Sequence, residues 1–483
     1  MKNRRLGLAV MSLLLASFFF ALAPAWSQNI DDRINALEQE LSQLKEQQIE
    51  LKKEATAATA ALPTFSYRPG GGLNIEAADK AWSINFGLES HVRMYFMEGQ
   101  DQYGRTKGEL EMRRFRPQFE YCINNCLWQI LAYFDLDGFG GNSLFQRAAV
   151  EFHGENLNPW LPTVHFGGDV STTIGTIRQG SSATGTQMDY DLLVRNNGFN
   201  TGSAGWGVVL NWDDKPIGGM GRITRFQLAY AIAGKGSDNV QINTDHKDGS
   251  IFLGIEPFSQ IKNKWISGLR FEMGSWWCHV DDRAQAGNVC NRLRLRENEN
   301  AGQATLYDTG TLVGRGTQHF LHPGLQWTVG PYRLRAIGGW MNFDGGNNAV
   351  ISQALKGDPR ARNWLVAHDI FLWSPKGWFT GSPTTTGSVL FGTHFERNNV
   401  DCRNCPTING GQFHRSRVLV REWDLWYFVA PAMSIGAHFI WYDASNLQTG
   451  ATAVQDQIFN KGNARPGKGG DWVNVILNWR YQF

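Results

Sequence analysis

The chain has 483 residues and balances 46 Lys+Arg against 44 Asp+Glu, so no bulk charge points to nucleic acid. Charged residues are only 19%, against about 25% in ordinary soluble domains, while Gly numbers 54, Phe 29 and Trp 19. The aromatic content excludes disorder for most of the chain, and a mean hydropathy of −0.34 excludes a helical membrane protein. What remains is a β-barrel with a polar lining and a lipid-facing exterior.

Residues 1–27 read as a secretory signal peptide. Lys2, Arg4 and Arg5 precede an apolar run from Leu6 to Ala23, and the small residues around Ala25 and Ser27 offer the cleavage site. Removing those three cations leaves 43 basic against 44 acidic residues. No second run of about 18 apolar residues follows, so a second transmembrane helix is not expected.

Residues 28–56 read as a short periplasmic coiled-coil helix. Ile34, Leu37, Leu41, Leu44 and Leu51 alternate three and four apart, with Gln48 at one seam position. Three strands is the favoured number for such an oligomer. Residues 57–80 read as linker, from the Ala/Thr run, Pro63, Pro69 and three glycines.

From Ala81 the apolar period becomes 2. Trp82, Ile84, Phe86, Leu88, Val92, Met94 and Phe96 share one face, and Asn85, Glu89, His91 and Arg93 the other. The alternation recurs in Trp128–Leu136, Trp206–Trp212, Phe226–Ile232, Ile435–Trp441 and Val473–Phe483, among others, with a bulge expected within Arg415–Tyr427. Sixteen such segments fill 81–483, an even number that suits a closed antiparallel transmembrane barrel. Long and short gaps alternate between them: 171–204 and 278–317 are long, whereas Gly330-Pro331 and Ala430-Pro431 are minimal. This is the layout of an outer-membrane barrel whose chain starts in the periplasm.

Tryptophans fall at segment ends. Trp82, Trp128, Trp160, Trp212, Trp265 and Trp327 are expected in a girdle at the short-turn end, and Trp277, Trp340, Trp364, Trp441 and Trp472 in one at the long-loop end. The polar faces predict a lumen of mixed sign that includes Glu89, Arg93, Arg114, Arg116, Glu120, Glu151, His153, His165, Arg270, Glu272, Arg333, Arg335, Glu422, Asp424 and Arg480. Arginine keeps its charge and presents a planar fork to oxyanions, and rings of Arg favour anions in pores. Cross-strand pairing with carboxylates would instead make the same residues braces for the wall.

The six cysteines form near-neighbour pairs, Cys122/Cys126, Cys278/Cys290 and Cys402/Cys405, and an oxidising compartment makes disulfides the expectation. No nucleophile elbow, helical metal-ligand pair or phosphate-cradling loop is visible, so neither an enzyme, a cofactor nor a metal is expected.

The order of signal, heptad helix, Gly-rich linker, sixteen strands and terminal Phe483 resembles the phosphate-selective porin O and P family. Local cues are Arg113-Arg114-Phe115-Arg116, the acidic strand Tyr133-Phe134-Asp135-Leu136-Asp137, and a long third connection carrying Arg178 and Arg195. The resemblance implies a trimeric anion channel of the bacterial outer membrane in which that connection folds inward and basic side chains line the constriction. The expected function is therefore a water-filled diffusion channel for small polar solutes, with a modest preference for anions and phosphate among the candidates. The expected constriction residues are Arg178, Arg195, Arg93, Arg114, Arg116, Arg333 and Arg335. The competing expectation is a scaffold porin that sheathes a periplasmic electron-transfer or export partner.

Overall fold

The computed structural model describes residues 38–50, 62–69, 71–97, 107–134, 136, 145–170, 205–231, 246–280, 294–296, 305–308, 316–345, 359–375, 386–402, 415–430, 432–445 and 470–482. The chain divides into two units, one ending at Leu62 and one spanning Pro63–Phe483. In the first, helix α1 covers 38–50 and is exposed along its whole length, Leu41 and Leu44 included.

The second unit is all β. Its strands are β1 (Thr64–Arg68), β2 (Gly72–Glu76), β3 (Trp82–Met97), β4 (Lys107–Ile123), β5 (Trp128–Phe134), β6 (Phe145–His153), β7 (Thr163–Val170), β8 (Gly205–Ile217), β9 (Gly221–Ala231) and β10 (His246–Glu256). They continue as β11 (Leu269–Val280), β12 (Arg294–Arg296), β13 (Thr305–Asp308), β14 (Gly316–Val329), β15 (Tyr332–Gly345), β16 (Pro359–Trp373), β17 (Val389–Cys402), β18 (Arg415–Ala430), β19 (Met433–Ser445) and β20 (Gly470–Gln482).

From β3 to β11 and from β14 to β20, consecutive strands pair antiparallel, β14 pairs with β11, and β20 pairs back onto β3. The result is a closed sixteen-stranded antiparallel barrel, which leaves its main wall without an open edge. Strands β12 and β13 form a separate hairpin within the β11–β14 connection.

The segment 57–80 is more than a linker. Strands β1 and β2 form a hairpin there, and β2 lies against the first residues of β3, from Leu73 opposite Phe86 to Glu76 opposite Ser83. Leu73 and Ile75 alternate with Asn74 and Glu76, too short a dyad pattern to be seen beside the prolines and glycines. Gly72 makes the turn possible. Its φ is +82°, and a Cβ there would meet the carbonyl oxygen of Phe86 at 2.0 Å.

Side-chain burial is inverted relative to a soluble protein. On β3, Met94 and Phe96 are exposed while Glu89, His91 and Arg93 are buried. On β20, Leu477, Trp479 and Tyr481 face out while Asn474, Asn478 and Arg480 face in. A continuous exposed apolar exterior of this kind needs an apolar solvent. No helix among the described residues is long and apolar enough to cross a membrane; strands would do so here.

The short-turn girdle is built by contacts. Trp128 packs on Phe152 at 4.9 Å, Trp212 on Phe226 at 5.3 Å and Trp265 on Trp327 at 6.1 Å between ring centroids. The Trp212 indole donates to the Trp160 carbonyl and the Trp327 indole to that of Trp265. Trp160 lies in the turn before β7, and Trp265 lies in the short helix α2 (Lys264–Ser267), so neither is a strand residue. The Asn263 side chain caps that helix by accepting from Trp265 N at 3.0 Å.

Two further expectations need correction. Trp472 is not in the outer girdle: it shares parity with Asn474 and Asn478, points inward, is 2% exposed and stacks on Tyr442. The stretch Arg415–Tyr427 is not bulged against β17, where the ladder runs unbroken from Val389/Tyr427 to Asp401/Arg415; the irregularity in β18 falls later, at Phe428/Ala430 against β19.

Candidate functional site: the ionisable inner wall

The alternation that places leucines and tryptophans outside aims the intervening polar residues at the interior. Because neighbouring strands are in register, these residues stack into a belt. On β3, β4 and β20 the belt is rich in guanidinium. Glu89 Oε1 accepts from Arg114 Nη1 at 2.9 Å and lies 3.2 Å from His91 Nε2, while Glu89 Oε2 is 4.0 Å from Arg116 Nη1. Arg480 lies within electrostatic reach of Arg93, Arg114 and Glu89. Its guanidinium also stacks on the Trp426 ring, 3.7 Å from the centroid. Arg93 is 0% exposed on the same face, opposite Asn478 in the ladder.

The sector on β15 to β19 is richer in carboxylate. Arg333 Nη2 lies 2.7 Å and Arg335 Nη2 3.2 Å from Asp369 Oδ2. Beyond Asp369 come Glu396, Glu422 and Asp424, all buried, together with His394 and His438. The two sectors adjoin, so the wall changes sign around the circumference. A charged pair in such a setting interacts far more strongly than in bulk water.

A third sector on β4 to β7 is hydrogen-bonded throughout. Glu120 accepts from Gln129 and Tyr133. Gln129 Oε1 is 2.9 Å from His153 Nε2, and His165 Nδ1 is 2.8 Å from Glu151 Oε1. At its short-turn end, Glu155 is held by His153 Nδ1 at 2.9 Å and by the Thr163 hydroxyl at 2.8 Å. Partial burial works against ionising Glu155, but these hydrogen bonds and its own backbone N–H outweigh it and hold the carboxyl below the ordinary glutamate range.

Of the arginines expected at the constriction, Arg93, Arg114 and Arg116 are brought together, whereas Arg333 and Arg335 sit in the neighbouring sector as partners of Asp369. Arg178 and Arg195 lie outside the described residues. Sequence reasoning missed Asp369, Glu396, His394 and His438. Their strands carry apolar residues on both faces: Leu365, Phe371, Leu390, Val418, Val420 and Ile440 are inward-facing and buried. The dyad signal is therefore faint, and the only available clue was an isolated polar residue inside an apolar run.

The disulfide Cys122–Cys126 closes the β4–β5 turn, with Cα atoms 4.5 Å apart. Asn124, Asn125 and Cys126 all have φ near +55°. Asparagine tolerates this region and cysteine does not, so the cross-link holds an otherwise costly turn. Cys290 and Cys405, and the side chains of Cys278 and Cys402, lie outside the described residues.

A closed sixteen-stranded barrel with an apolar exterior and an ionisable interior has the architecture of the porins. Comparison of the fold agrees. The structure is similar to a loop L8 deletion mutant of OmpT, an outer membrane protein of Vibrio cholerae, with a TM-score of 0.50 at 10% identity over 83% of this chain and 100% of that one. It is also similar to the anion-selective porin from Comamonas acidovorans (TM-score 0.49, 11% identity, 83% and 100% coverage). The in-vitro folded trimer form of Vibrio cholerae OmpT gives 0.49 at 12% identity, again with 83% and 100% coverage. No family model and no curated protein matches the sequence.

Proposed function

We propose that the chain is a bacterial outer-membrane diffusion porin. It passes small polar solutes through a water-filled lumen, with a modest preference for anions. The observation that carries this reading is the pairing of an exposed apolar exterior with a ring of ionisable residues inside a closed barrel. A sixteen-stranded barrel is wide enough for an aqueous channel.

The anion preference rests on the sector where Arg93, Arg114, Arg116 and Arg480 outnumber Glu89. Guanidinium groups stay charged and present a fork that suits phosphate and carboxylate alike. Arg178 and Arg195 would add to this sector if 171–204 enters the lumen. The helix within 28–56 would join copies of the chain in the periplasm, with a homotrimer as the proposed assembly.

Reconstitution in planar bilayers tests the proposal. The expected result is an ohmic conductance whose reversal potential in a KCl gradient favours chloride, together with a fall in chloride current when phosphate is added. A channel that stays silent rejects the diffusion reading, and a cation-favouring reversal potential rejects the anion preference.

A further inference from the structure

Two histidine–carboxylate clusters line the inner wall, and they differ in kind. Around His153 and His165 the nearest nitrogen–oxygen contacts, 2.8–2.9 Å, are ordinary hydrogen bonds, with Glu151 Oε2 3.6 Å from His153 Nε2 beside them. The cluster on β17, β18 and β19 is spaced otherwise. Glu422 and Asp424 lie two residues apart on β18 and share its inner face; His438 on β19 stands directly opposite Asp424. One ligand-capable atom from each of these three residues lies within 4.8 Å of the others. All three are buried, at 3% exposure or less.

Three distances identify what the cluster is shaped for. His438 Nδ1 is 3.4 Å from Glu422 Oε1 and 2.5 Å from Asp424 Oδ1, and His394 Nδ1 is 3.3 Å from Glu422 Oε2. Ligands held 2.0–2.1 Å from a tetrahedral ion stand about 3.4 Å apart. The His438–Glu422 spacing already matches that edge, and the His438–Asp424 contact, now a short hydrogen bond, would have to open by about 1 Å. A second observation points to the same place. Asp424 Oδ2, buried with the cluster, makes no hydrogen bond among the described residues, while His394 bridges Glu422 and Glu396 at 3.3 and 3.4 Å. Buried polar atoms normally find a partner.

We infer that Glu422, Asp424 and His438 form a binding site for a divalent transition metal of the zinc class on the inner wall, with His394 as a positioning residue on the second carboxylate oxygen of Glu422. One imidazole with two carboxylates favours zinc over magnesium, which prefers an all-oxygen octahedral shell that retains its waters. Three protein ligands leave a fourth position for water or a passing solute. Arg480 and Arg335 lie within electrostatic reach of the carboxylates and oppose the incoming charge.

The test uses the full-length, untagged protein folded in detergent, titrated calorimetrically with ZnCl2 and, separately, MgCl2. The expected result is one zinc per chain and no competing heat from magnesium. X-ray absorption of the zinc-loaded protein should show only nitrogen and oxygen neighbours near 2.0–2.1 Å, which excludes the cysteines. Asp424→Asn and His438→Gln should each weaken binding by tenfold or more. His394→Gln should weaken it by about 10–100-fold without changing the stoichiometry. His153→Gln, in the hydrogen-bonded cluster, should leave zinc binding unchanged. The inference is overturned if the wild-type protein takes up no zinc, if sulfur appears in the shell, or if Asp424→Asn binds as tightly as wild type. The wild-type absorption spectrum decides the matter even if a substituted chain fails to fold.

Discussion

The Arg480 guanidinium carbon lies over the Trp426 ring, 3.7 Å from its centroid. Trp426 is itself buried, so the arginine is held by an aromatic platform at the junction of the guanidinium-rich and carboxylate-rich sectors. Such a contact is worth about 2 kcal/mol when desolvated. Arg480→Gln should therefore lower the chloride-to-potassium permeability ratio at least twofold, and Trp426→Leu should lower it less, because it releases the charge without removing it. Reversal potentials of the two variants in the same salt gradient check this order.

Leu41 and Leu44 are exposed on α1. Replacing both with Glu should convert the proposed trimer to smaller species by sedimentation in detergent while leaving single-channel conductance unchanged. An unaltered assembly would assign subunit contact to the barrel instead.

Cys122→Ser opens the cross-link that closes the β4–β5 turn. For so short a loop the chain-entropy contribution is about 2 kcal/mol. The expected outcome is a lower midpoint in urea unfolding followed by tryptophan fluorescence, matched by adding reductant to the wild-type protein.

Glu155 has its carboxyl held below the ordinary range by His153, Thr163 and its own N–H. A carboxylate whose folded value is depressed stabilises the native state above its unfolded value, and the benefit fades as pH falls through the folded value. Partial exposure limits the effect to about 1 kcal/mol or less. Glu155→Gln should be less stable than wild type at neutral pH, and the gap should close in acid. Thermal midpoints measured across that range supply the comparison.

How much of this was legible beforehand varies with the strand. On β3 every second residue except Ser90 is apolar, and on β20 the same holds from Val473 to Tyr481, so the sequence alone identifies which face meets lipid, and Glu89, Arg93 and Arg480 can be assigned to the interior by counting. On β16 to β19 the interior also holds Leu365, Leu390, Val420 and Ile440, so parity is obscured and His394, Glu396 and His438 went unassigned. Register is the other missing quantity. Asp424 and His438 are 14 residues apart along the chain, and only the two-residue turn after Ala430 brings them face to face. The error at Trp472 has the same root: an aromatic at a strand end was read by position rather than by parity.

Strand β3 has one more lesson in its pairing. On the side facing β20 its later residues, Glu89–Met97, meet the C-terminal strand, whereas Ser83–Phe86 meet β2. The cylinder is thus sealed lengthwise by two strands far apart in sequence, β2 and β20, set nearly end to end. Tyr67 of the hairpin hydrogen-bonds Tyr481 where those pieces come together. Closure cannot finish before β20 is made, and a chain deprived of the hairpin would present bare amides and carbonyls along Ser83–Phe86 to any passing strand.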